Sequence, residues 1–346
     1  MIRLTISCNE NTWVKEVLWE NHKCIHFAAG GYEATIVPDV GANLIELKDT
    51  KINLSLLRSP NKKVDFKTFS ERPQVYGIPV LFPPNRIEDG KLKVGEKEYE
   101  LPINEVKNNN YIHGFVKNER WEIYRMEIKK EGTVEIEAVF DYNESHAFYK
   151  YFPNSFRFKL VYKLSKEGLK QTFTIINLSD EEIPVAIGYH TAFNVPFNED
   201  SKKEDYRLIV SANRRYEQDG RNLPTGRIFE LSDDEKKYHT DGICPFGYKI
   251  ETHYALKEID VKGRKLYGAI IEDTKKGLKL IYELGREYKY IVIWNDQGDK
   301  DYLCIEPQTW AINAPNLKLD KALTGFRTIA PKQSWSEVSR IFVEEK

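Results

Sequence analysis

Hydrophobic residues alternate with polar ones at a period of two through most of this chain, and that rhythm suits half-buried strands rather than helices. Residues 133–140 send Val134, Ile136, Ala138 and Phe140 to one side and Glu135 and Glu137 to the other. Phe156, Phe158, Leu160, Tyr162 and Leu164 alternate with Arg157, Lys159 and Lys163; residues 165–168 supply a turn, and 169–176 run back. Residues 265–271, a turn at 272–277 and a return over 278–284 repeat the scheme. Each is the hairpin pattern of an antiparallel sheet with one wet face. Helical patterning is confined to 65–72 and 232–237, the second opened by Ser232 as a cap. No repeat, low-complexity linker or break in composition divides the chain. The expected fold is therefore all-β: one large antiparallel β-sandwich domain over residues 1–346, with a few short helices.

Composition narrows the function classes. The 20 Tyr, 17 Phe and 6 Trp favour strands and can also stack on sugar rings. The 52 Lys and Arg nearly cancel the 53 Asp and Glu, and the signs are interspersed. No basic field recruits nucleic acid. Cys8, Cys24, Cys244 and Cys304 are scattered without a CxxC, the first seven residues lack the apolar core of a signal peptide, and no apolar run is long enough to span a membrane. The expectation is a cytoplasmic protein with reduced thiols and no membrane partner.

Chemistry is suggested at four places. Residues 289–294 read as a nearly apolar strand, 295–300 as its turn and 302–305 as the returning strand, with Glu306 at its end and Pro307 next. Proline biases the residue before it to extended geometry. A carboxylate set against an apolar strand suits a general base, because partial burial raises its pKa toward neutrality; a surface glutamate at a strand end would look the same. Arg86 ends an apolar run stiffened by Pro79, Pro83 and Pro84 and could grip adjacent hydroxyls, or make a surface ion pair. His113 precedes Gly114 after a polar loop, and His190 follows the apolar stretch 183–189; either can be structural or can exchange protons near neutrality. His22, Cys24 and His26 would share one strand face, but a fourth zinc ligand is missing. Neither a GxSxG elbow, an HExxH helix, a Walker loop nor a GxGxxG turn ahead of a helix occurs.

In order along the chain, Asn85-Arg86-Ile87, Gly90, Asn104, His113-Gly114-Phe115, Gly188-Tyr189-His190 with Phe193-Asn194, Leu223-Pro224-Thr225-Gly226 and Ile305-Glu306-Pro307-Gln308 resemble the motif series of the aldose 1-epimerase, or galactose mutarotase-like, family. The resemblance runs over roughly residues 28–343. It implies the large galactose mutarotase-like supersandwich, with a sugar held in a cleft on one sheet and catalysis without metal or cofactor. Glu306 would take the proton from the anomeric O1 and His190 would deliver one to the ring oxygen. Arg86, His113, Glu251, Asn85 and Gln308 would bind the substrate, a free or phosphorylated aldose.

Two departures bear on the substrate. The family shows His-Pro-Tyr-Phe-Asn where this chain has His190-Thr191-Ala192-Phe193-Asn194, and losing that Tyr should open or reshape the wall beside the acid. A family Asp that grips hydroxyls is matched by Glu251, one carbon longer. A hexose-6-phosphate epimerase, a non-catalytic sugar-binding or sensor protein on the same scaffold, and a glycoside hydrolase using Glu306 with Glu251 are the alternative readings.

Overall fold

The computed structural model describes residues 5–60 and 64–345. Met1–Leu4, part of the segment read for a targeting signal, and the side chain of Cys8 lie outside the described set. Strands dominate, in antiparallel sheets. The chain begins with a six-stranded meander, Thr5–Asn9, Thr12–Trp19, His22–Ala29, Tyr32–Val37, Asn43–Asp49 and Leu54–Ser55, each strand beside its sequence neighbour. A large sheet follows in the spatial order Glu122–Ile128, Val134–Tyr142, Phe156–Ser165, Gly168–Asn177, Ser334–Glu345, Leu278–Leu284, Gly268–Asp273 and Tyr206–Val210. The third sheet runs Pro224–Glu230, Ala212–Gln218, Glu251–Leu256, Tyr290–Trp294, Tyr302–Gln308, Gly188–Tyr189 and Val80–Leu81, with Thr191–Asn194 also paired to Tyr302–Gln308.

Period-two alternation places the core. Phe156, Phe158, Leu160, Tyr162 and Leu164 are all fully buried, as the pattern required, and face residues of the third sheet such as Ile291, Ile293, Leu303 and Ile305 within one apolar cluster. Aromatic edges close its centre: Phe82 meets Phe158 at 5.0 Å and Phe158 meets Phe173 at 5.1 Å between ring centroids, both edge-on. Buried Trp121 satisfies its indole by donating to the Val116 carbonyl at 3.2 Å.

Three expectations need correction. Residues 265–271 are not one strand: Arg264–Leu266 folds back on Ile259–Val261, and only Gly268–Asp273 joins the large sheet. Gly268, at φ +138°, turns the chain between the two. Ser232 does hydrogen-bond reciprocally with Glu235, but the helix there is a 3-10 turn over Glu235–His239. Finally, the strand carrying Glu306 does not stop at Pro307; it runs to Gln308. The helix read at 65–72 is present as Phe66–Glu71, capped by Asp65.

Candidate active site

The interruption at Pro307 builds the site. Tyr302–Gln308 pairs regularly with Tyr290–Trp294 on one side, Glu306 opposite Val292 and Cys304 opposite Trp294. On the other side it pairs with Thr191–Asn194 only as far as Ile305 and with Gly188 at Gln308. Pro307, which has no N–H to offer, falls in the gap and removes no ladder hydrogen bond. His190 occupies the same gap; its own N–H turns away to the Pro79 carbonyl at 3.2 Å. The break in the ladder thus brings His190 to Glu306, with Nε2 of the imidazole 3.2 Å from Oε1 of the carboxyl.

His113 reaches the pair from a different direction. Arg86–Glu88 pairs with Asn110–Ile112, and the two ends turn through left-handed residues, Asn85 at φ +54° and His113 at φ +63°. Gly114 follows at φ +60°, pressed so closely on Phe82 that a Cβ there would lie 2.1 Å from its carbonyl oxygen. This turn points the His113 ring edge-on at His190, 5.1 Å between centroids.

Arg86 enters from the same hairpin. Its Nε donates to both oxygens of Glu105, at 3.1 and 3.0 Å, and Nη2 donates to Oε1 at 3.0 Å. Glu251, opposite Trp294 on its strand, brings Oε1 to 3.5 Å from the same Nη2, while its Oε2 meets Lys249 Nζ at 2.9 Å. Burial works against the Glu105 anion, but hydrogen bonds from Arg86 and Asn110 outweigh it and hold the carboxyl below its ordinary range.

Glu306, His190, His113, Asn85, Arg86 and Glu251 line a cavity of about 150 Å³, walled also by Arg72, Gln74, Val75, Gln218, Val292, Trp294 and Ile312. A groove of about 1230 Å³ elsewhere, bordered by Trp13, Lys166 and Arg340, is larger but is lined by none of the motif residues. The small cavity is where the polar groups converge. Four buried atoms of its lining, Glu306 Oε2, His190 Nδ1, His113 Nδ1 and Gln74 Oε1, have no hydrogen-bond partner among the described residues. Buried polar atoms are normally paired, so these suit a hydroxyl-rich ligand.

Burial dominates the electrostatics. It pushes the Glu306 carboxyl up to about 8, with Arg86 opposing and Glu251 reinforcing the shift. It drives the His190 imidazole down to about 3, the charges of Lys117 and Arg86 adding to it. His113 is held well below its usual value by burial and then by His190. Glu306 and His190 face one another across 3.2 Å, so the two titrate as a pair.

The structure therefore brings together Glu306, His190, Arg86, His113, Glu251 and Asn85, whose Oδ1 accepts from the Arg86 N–H at 3.0 Å. Gln308 is the exception. It is buried two residues beyond Glu306 on the same strand face, opposite Tyr290, but lies outside the cavity lining, and its amide nitrogen and oxygen have no hydrogen-bond partner among the described residues. Ala192 does not open the wall beside the imidazole. It is fully buried with Tyr302 and Cys304, and Trp294 packs over them with its ring 5.7 Å from His190. Glu105, Trp294, Arg72 and Gln74 carried no signal in the sequence. Glu105 is nineteen positions from Arg86 in a stretch without periodicity, and only folding of the hairpin joins them.

The fold is that of the galactose mutarotase-like proteins. The aldose 1-epimerase family profile matches residues 23–341. This chain belongs to the aldose 1-epimerase family, which gives it a general epimerase, or mutarotase, role. A galactose mutarotase-like protein from Clostridium acetobutylicum superposes with a TM-score of 0.95 at 51% identity, covering 98% of this chain and 100% of that one. The galactose 1-epimerase of Lactobacillus acidophilus NCFM shares the fold, with a TM-score of 0.68 at 17% identity, covering 99% and 98%. Among curated proteins, the chromosomal LacX of Lactococcus lactis subsp. lactis is 24% identical over 218 residues, 57% of this chain and 70% of LacX. YihR of Escherichia coli K12 is 28% identical over 203 residues, 58% of this chain and 59% of YihR. No helix among the described residues is long and apolar enough to cross a membrane.

Proposed function

We propose that the protein interconverts the α and β anomers of a free aldose, with Glu306 and His190 as the acid–base pair. The observation that carries this reading is their buried 3.2 Å contact in a cavity of about 150 Å³, flanked by hydroxyl-binding groups of both signs. A pyranose entering there replaces the direct contact with its own O1–H and ring oxygen. Glu306 in its ionised form takes the O1 proton, and His190 in its protonated form gives a proton to O5 as the C1–O5 bond breaks. The product is the open-chain aldehyde. Rotation about C1–C2 exposes the other carbonyl face, O5 attacks C1 while returning its proton to His190, and Glu306 reprotonates O1. The proton balance closes on these two side chains. In the sugar-free site burial favours the proton on Glu306 and a neutral His190, so ionised Glu306 and protonated His190 are reached only as the sugar's O1–H and ring oxygen take the place of their direct contact.

Recognition follows from the neighbours. Arg86 donates to ring hydroxyls and Glu251 accepts from them, a pairing that a diol satisfies and a bare anion does not. Because Glu105 and Glu251 already offset Arg86, a neutral aldose fits better than a phosphorylated one. Arg72, exposed at the cavity rim and without a carboxylate partner among the described residues, is the feature that favours the phosphorylated alternative.

Anomer exchange measured by NMR at chemical equilibrium, over neutral and 6-phosphorylated aldoses, tests the proposal, with Glu306→Gln as control. Exchange above the buffer rate that is lost in the variant supports it. Saturable binding without exchange for every sugar would replace it with the sensor reading.

A further inference from the structure

Arg86 is a cation of the cavity wall, yet much of its guanidinium is already engaged. Glu105 holds Nε and Nη2 together, with all three contacts at 3.0–3.1 Å. Glu105 is in turn fixed from behind: fully buried Asn110 donates Nδ2 to its Oε2 at 2.8 Å and to the Arg221 carbonyl at 3.2 Å. Arg221 returns Nη2 to Asn110 Oδ1 at 3.1 Å. Nη1 has only a long contact, 3.5 Å to Asn85 Oδ1, and is the nitrogen left to meet a hydroxyl.

We propose that Glu105 is a positioning residue that works through Arg86, aiming Nη1 into the cavity and withholding much of the guanidinium charge from the Glu306–His190 pair. The inference rests on the epimerase reading of the site for its catalytic consequence. Glu251 cannot replace Glu105 in this role. Its contact with Arg86 is single and longer, 3.5 Å, and its other oxygen is taken by Lys249.

A guanidinium with no counter-charge beside a buried carboxyl stabilises the anion. Arg86 relieved of Glu105, with only Glu251 at 3.5 Å left to offset it, would therefore draw the proton off the Glu306–His190 pair at lower pH, leaving His190 nothing to donate. The charged and titratable groups around the pair are His113, Arg86, Glu251, Arg72 at the cavity rim and, on the strand of Glu306 itself, Cys304; Lys117 adds charge toward His190. Of these, Arg86 is the one that Glu105 touches.

Two readouts test the role. One is the pH profile of kcat/KM for anomer exchange. The other is the titration of Glu306 in the free protein by carbon-13 NMR, its carboxyl resonance assigned by its loss in Glu306→Gln. Glu105→Gln should lower kcat/KM roughly 10- to 100-fold, mainly through KM. It should move both the alkaline limb and the Glu306 midpoint down by about half to one pH unit. Glu105→Asp should restore part of each, and in an Arg86→Met background Glu105→Gln should add nothing. An unmoved Glu306 midpoint in folded Glu105→Gln overturns the proposal. Should that variant fail to fold, an unmoved midpoint in Glu105→Asp does the same. The midpoint is read without substrate, so failure to exchange any aldose would defeat the proposed reaction while leaving the Glu105 test decided.

Discussion

Nε2 of His190 and Oε1 of Glu306 stand 3.2 Å apart, each side chain almost wholly removed from solvent, at the one place where the strand of Glu306 loses its partner. Acid and base are in contact before any substrate arrives, so their protonation is a property of the pair.

Deleting either partner should remove the chemistry and spare binding. His190→Asn is expected to lower kcat by about 10²- to 10⁴-fold with KM changed less. Exchange kinetics together with a sugar titration check it. A variant with wild-type kcat would take His190 out of the reaction.

The pH profile should be bell-shaped with an unusual ordering. The pair is competent while it holds one proton, and burial raises Glu306 to about 8 while lowering His190 to about 3. The profile of kcat/KM should therefore stay broad through the acidic range and fall as pH rises through about 8, where the last proton leaves. A rate that climbs across that value would mean that free Glu306 anion alone suffices.

Arg86→Ala should chiefly weaken binding. A charge-assisted hydrogen bond contributes about 1.5–3 kcal/mol, which predicts a KM raised roughly 10- to 100-fold. The same change leaves Glu105 and Glu251 without their shared cation, so part of the loss comes from their repulsion. Equal losses in kcat and kcat/KM would instead place Arg86 in the transition state.

Stability should carry the mark of the buried carboxyl. The folded value of Glu306 lies above its unfolded value of 4.5, so the protonated group contributes stability that is fully present below 4.5 and lost as pH rises through about 8. His190 is shifted downward, and its effect is confined to the range below 6.5. Between pH 7 and 9 buried Lys117, lowered to about 8, titrates as well, so the Glu306 contribution is read as a difference against Glu306→Gln, in which Lys117 is unchanged. Glu306→Gln should gain on the wild type over that interval by about 1 kcal/mol or more, read as a growing difference in Tm. A constant difference would show that Glu306 ionises normally.

The parts legible in the sequence were those set by local rules. Alternation at 156–164 placed Phe158 and Leu160 in the core and Arg157 outside it, because one face of that strand is wet. Family-like order brought Glu306, His190, Arg86 and His113 to one cavity. Pro307 misled, since a proline after a strand usually ends it; here the ladder is already broken at that point by His190. Glu105 and Trp294 were invisible for a related reason. Glu105 meets Arg86 only through the folded hairpin, and Trp294, though on the strand read at 289–294, meets His190 only once Thr191–Asn194 pairs with Tyr302–Gln308.

The strand Ser334–Glu345 sits between Gly168–Asn177 and Leu278–Leu284, in the interior of the large sheet. A ribosome therefore makes both flanking strands long before the piece that joins them. Until synthesis reaches residue 345, two apolar edges stay open, each able to pair with another unfinished chain. Production of this protein should be limited less by the stability of the finished sandwich than by protection of those edges while the chain emerges. Chaperone supply or slower translation is then the natural lever on soluble yield.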